Sequence, residues 1–76
     1  MMKGKTISAQ DIVKKFNIPY HTVNYYTAIG LLPLLRKEGN QRVYNSQTVK
    51  YRLNRISTLS KNGYPLNLIR KKLVGI

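Results

Sequence analysis

The apolar positions of the chain fall into short one-sided stripes divided by turn residues. After a β-permissive segment at Lys5–Ile7, Ser8 and Asp11 stand at capping-box spacing, with Asp in place of the usual Glu. Ile12, Val13 and Phe16 follow on one side, which predicts a short helix over residues 9–16. Asn17-Ile18-Pro19 ends it, because Asn tolerates left-handed backbone and Pro has no amide hydrogen to continue the bonding. A second helix is predicted over Tyr20–Ala28, stopping at Gly30. Val23, Tyr26 and Ile29 share its apolar face, leaving His21, Thr22, Asn24 and Tyr25 on or near the other. Two short helices across a three-residue turn form a helix-turn-helix.

Gly39-Asn40 is turn chemistry between two short β-prone arms, which predicts a hairpin pairing residues 35–37 with 42–44. A hairpin directly behind a helix-turn-helix is a wing. Asn45 or Ser46 then caps a longer helix over residues 46–61, in which Val49, Leu53, Ile56 and Leu59 make a single stripe. Asn62-Gly63 closes it, and Pro65 opens a short fourth helix through Leu66, Ile69 and Leu73. The fold class expected is mainly α: a winged helix-turn-helix of about four helices with a small β-hairpin wing, over residues 6–76, behind a flexible N-terminus at residues 1–5.

Charge changes the picture most. Fourteen Lys and Arg face only Asp11 and Glu38, a formal net charge of +12. Such a surface repels itself and attracts polyanions, nucleic acid before anionic membrane. Seventy-six residues make one small domain, and 42% hydrophobic content is compatible with a core. The chain contains no cysteine, which excludes disulfides, thiolate zinc sites and iron–sulfur clusters. One His and two carboxylates build neither a metal cage nor a paired-acid active site, so no enzyme activity, metal or cofactor is expected. No apolar run approaches the ~20 residues of a membrane span. Met1-Met2-Lys3-Gly4-Lys5 precedes no apolar signal region, so a cytoplasmic, nucleoid-associated protein is expected.

Thr22-Val23-Asn24-Tyr25-Tyr26-Thr27-Ala28-Ile29-Gly30-Leu31-Leu32 resembles the helix-turn-helix run of the MerR family of bacterial transcription regulators. That run reads approximately threonine, apolar, Arg, Tyr, Tyr, acidic, then Gly-Leu-Leu. The wing Gly39-Asn40-Gln41-Arg42-Val43-Tyr44 is similar to the redox-sensing SoxR branch, and Gly63-Tyr64-Pro65-Leu66 to the turn between the family's third and fourth helices. The resemblance covers about residues 6–73. Asn24 replaces the usual Arg, Thr27 the common acid, and Pro19 the usual capping Ser, while Tyr44–Gly63 is one residue longer than typical. Without Cys there is no iron–sulfur sensor, and the family's long dimerisation helix and effector domain have no counterpart in these residues.

The resemblance implies a double-stranded DNA partner. His21, Thr22, Asn24 and Tyr25 become candidates for base edges in the major groove, with Asn24 suited to adenine. Thr22 has the alternative of supporting the helix start, and Tyr26 is read as core. Arg36, Lys37 and Arg42, with Gln41 as polar helper, are assigned to the phosphate backbone, Arg42 above all. Tyr44 either donates to a phosphate or packs the hairpin onto the third helix. Arg52 and Arg55 either reach a phosphate or form a solvated basic face, and the amides opening the last helix are a further phosphate seat. The leading function is sequence-specific DNA binding for transcriptional regulation. The alternatives are an excisionase-like or architectural DNA-bending factor, and a basic RNA-binding or ribosomal protein. A monomer is expected in free solution, with cooperative side-by-side binding on DNA left open.

Overall fold

The computed structural model describes residues 5–75. The first four residues of the expected N-terminal segment, and Ile76, lie outside the described residues. The element order is β1 (Thr6–Ser8), α1 (Ala9–Phe16), α2 (Tyr20–Ala28), β2 (Leu34–Glu38), β3 (Gln41–Asn45), α3 (Ser46–Lys61) and α4 (Leu66–Val74). This is a winged helix-turn-helix, mainly helical, with a small antiparallel sheet.

The helix boundaries follow local chemistry. Ser8 Oγ accepts from the Asp11 amide at 3.1 Å, satisfying a first-turn donor of α1. Asn17 takes left-handed backbone with φ 56° and turns the chain toward α2. Of the two residues able to cap α3, Asn45 does so, its Oδ1 accepting from the Thr48 amide at 3.0 Å.

The sheet differs from the expected two-stranded hairpin. β2 and β3 are longer than the expected arms, and β1 pairs with the other edge of β3, giving the order β1-β3-β2. Ile7 lies opposite Tyr44, and Lys37 opposite Arg42, with an irregularity between Leu34 and Arg36. The β-permissive segment at Lys5–Ile7 overlaps β1, but its partner residues lie far along the chain, so the pairing itself left no local mark. Gly39 turns the hairpin at φ 63° while Asn40 keeps negative φ, so the glycine occupies the one position that needs left-handed backbone.

Two apolar clusters hold the fold. Ile7, Ala9, Ile12, Val23, Leu32, Tyr44 and Val49 join the sheet to α1, α2 and the start of α3. Leu31, Ile56, Leu59 and Ile69 join α3 and α4 to the segment leaving α2. Tyr26 and Leu53 pack against both, which ties the helix-turn-helix to the C-terminal helix pair. Burial raises the Tyr26 phenol above its ordinary pKa, in keeping with its expected place in the core.

Candidate nucleic-acid interface

Helix α2 places its residues in two sets. Val23 is buried, and Tyr26 and Ile29 are half-buried against the clusters. His21 is exposed, Tyr25 is 54% exposed, and Thr22 and Asn24 are half-buried. Tyr20, not singled out in the sequence, adds a further exposed aromatic at the helix start. It shares a cleft of about 40 Å³ with Ala9, Gln10, Asn40, Gln41 and Arg42, so the wing turn sits beside the first turns of both α1 and α2.

All five residues of β2 are exposed, Arg36 and Lys37 among them. Arg36 forms an ion pair with Glu38 at 2.8 Å, two residues along the same strand face. Both side chains are more than half exposed, so water screens the pair and it contributes little to stability. Gln41 is exposed, whereas Arg42 is half-buried. The Arg42 guanidinium donates to Asn24 Oδ1, joining the two residues that the sequence assigned separately to phosphate and base.

Of the two roles expected of Tyr44, the structure overturns the phosphate contact and leaves packing. Tyr44 is 0% exposed, and its hydroxyl lies 2.7 Å from Thr27 Oγ1, so it offers nothing to a phosphate. Thr27 Oγ1 already donates its one hydrogen to the Val23 carbonyl at 2.8 Å, so Tyr44 is the donor. The ring shares a cluster with Val49 of α3, but the hydroxyl is bound to α2. Thr27 and Asn24 are the two positions within the Asn24–Thr27 run that depart from the resembled motif, and both are engaged by alternate residues of β3.

Arg52 also departs from its two expected roles. It donates to the Gly30 carbonyl at 3.3 Å and the Leu31 carbonyl at 3.0 Å, and Arg70 Nε donates to the Ile29 carbonyl at 2.8 Å. Two cations thus sit at the C-terminal end of α2, where unsatisfied carbonyls concentrate negative partial charge. The sequence carried no signal for this, since Arg52 and Arg70 lie about 20 and 40 residues from their acceptors. Arg55 is half-buried, and its Nε is the one buried side-chain polar atom without a partner among the described residues.

No group of three His, Cys, Asp or Glu that could hold a metal occurs among the described residues. No helix among them is long and apolar enough to cross a membrane. Comparisons with curated proteins and with solved structures returned no match. Residues 7–75 match the family described as MerR HTH family regulatory protein. With that match spanning nearly all of a helix-turn-helix and its wing, the chain belongs to the MerR family of helix-turn-helix regulatory proteins.

Proposed function

We propose that this domain binds double-stranded DNA sequence-specifically to regulate transcription, with α2 in the major groove and the wing along the phosphate backbone. The observation that carries this reading is the continuity of two surfaces. The exposed face of α2, with Tyr20, His21 and Tyr25, abuts a wing whose β2 strand is exposed throughout and carries Arg36 and Lys37. His21, Thr22, Asn24 and Tyr25 meet base edges or the adjoining sugar-phosphate, while Arg36, Lys37 and Gln41 face phosphate. Helices α2 and α4 both open behind a proline with no side-chain cap, which leaves their first amides available to phosphate oxygens. Arg55 adds a half-buried guanidinium from α3. A domain of this kind works where bacterial DNA lies, in the cytoplasm at the nucleoid.

The test is the salt dependence of binding. For ~4–6 phosphates engaged per monomer, log K falls against log salt with a slope of about −3 to −6 on duplex DNA. A slope near zero, or equal affinity for structured RNA and single strands, rejects the reading.

A further inference from the structure

Asn24 and Arg42 are two ends of one contact. Side chains on a strand return to the same face every second residue, so β3 presents Arg42 and Tyr44 together. Residues three apart on a helix are neighbours, so α2 presents Asn24 and Thr27 together. Tyr44 meets Thr27, and Arg42 meets Asn24. The first rung is fixed by complete burial of Tyr44, which sets how β3 lies along α2. The second rung continues the same alignment toward the wing turn.

The chemistry of the second rung settles which way the amide points. A guanidinium has five donors and no acceptor, so the Asn24 atom that meets it is the oxygen. The guanidinium takes one of the two lone pairs of Oδ1, and its charge weakens the other as an acceptor while polarising the amide so that Nδ2 donates more strongly. Reading adenine takes both ends of an Asn amide, since that base offers N7 as acceptor and N6 as donor. Guanine offers N7 and O6, two acceptors, and an amino group serves these without an oxygen beside it.

We infer that Arg42 is a positioning residue for base readout, holding the Asn24 amide so that it donates to the acceptor edge of guanine instead of pairing with adenine. The inference rests on the proposed placement of α2 against base edges. It replaces the adenine contact expected of Asn24, and it gives Arg42 an effect on sequence preference that a phosphate contact does not have.

The test is site selection from random duplexes. The Asn24-dependent base pair is the one whose preference disappears in Asn24→Ala. The wild-type chain selects guanine there, and 7-deazaguanine at that position weakens its binding. Arg42→Met keeps the stem but frees Oδ1, and the guanine-to-adenine binding ratio falls about tenfold. In the Asn24→Ala background Arg42→Met changes affinity without changing base preference. If Arg42→Met does not fold, Arg42→Gln decides, because it keeps a polar side chain but removes the cation that holds Oδ1, and the guanine-to-adenine ratio falls there as well. Selection of adenine by the wild-type chain, or an unchanged preference in folded Arg42→Met, overturns the inference while leaving DNA binding intact. Absence of any duplex binding rejects the DNA-binding reading itself.

Discussion

At the scale of single residues, the informative side chains are those whose polar atoms are already spent inside the protein. Thr27 gives its hydrogen to Val23 and receives one from Tyr44. Removing the two partners therefore has unequal consequences. Tyr44→Phe deletes one donor and leaves Thr27 bonded to Val23, a cost of about 1 kcal/mol. Thr27→Val strands the Tyr44 hydroxyl in a site with no exposure, which costs about 1–3 kcal/mol. The double variant is expected to be more stable than Thr27→Val alone, because no buried donor is then left unpaired. Urea unfolding of the three variants measures this, and equal losses in the two single variants would show that the hydroxyl finds another acceptor. The sequence offered Tyr44 as phosphate donor or packing residue. Nothing in its neighbours could decide, because the deciding partner lies 17 residues away on another element.

At the scale of elements, α2 is held from two sides. The wing grips it through Asn24 and Thr27, while α3 and α4 send Arg52 and Arg70 to the carbonyls beyond its last turn. Part of the basic composition is therefore structural. A charged donor bonded to a carbonyl contributes about 1.5–3 kcal/mol, so Arg52→Met is expected to lower stability on that order and to weaken amide protection in the last turn of α2. Its DNA-binding salt slope should match wild type, since Arg52 is spent on Gly30 and Leu31. A slope shallower by about 0.9 would instead assign Arg52 to a phosphate. The helices themselves were legible because their caps and stripes are local: Ser8, Asn17, Asn45 and Pro65 act within a turn of where they stand.

At the scale of the whole molecule, fourteen Lys and Arg face two carboxylates, Asp11 and Glu38, and Glu38 is paired with Arg36. Self-repulsion then opposes both folding and self-association at low ionic strength. Raising salt is expected to raise Tm, with ~4–8 °C for each kcal/mol of relieved repulsion in a domain of this size. The 76-residue chain should sediment as a monomer at moderate salt and meet its neighbours only on DNA, which supplies the counter-charge. A Tm that falls with added salt, or a stable dimer in free solution, would contradict this account.

The helices, the turn between α1 and α2, the place of the wing and the polyanion-seeking charge could all be read from the order of residues. Each follows from chemistry that acts over a few residues or sums over the whole chain. The pairing of the third strand, the burial of Tyr44, the turning of Arg52 and Arg70 onto the end of α2, and the joining of Arg42 to Asn24 emerge with the folded chain. These depend on which distant atoms meet. A cation reads the same in sequence whether it faces solvent, a phosphate, a backbone carbonyl or an amide oxygen, and packing alone chooses among them.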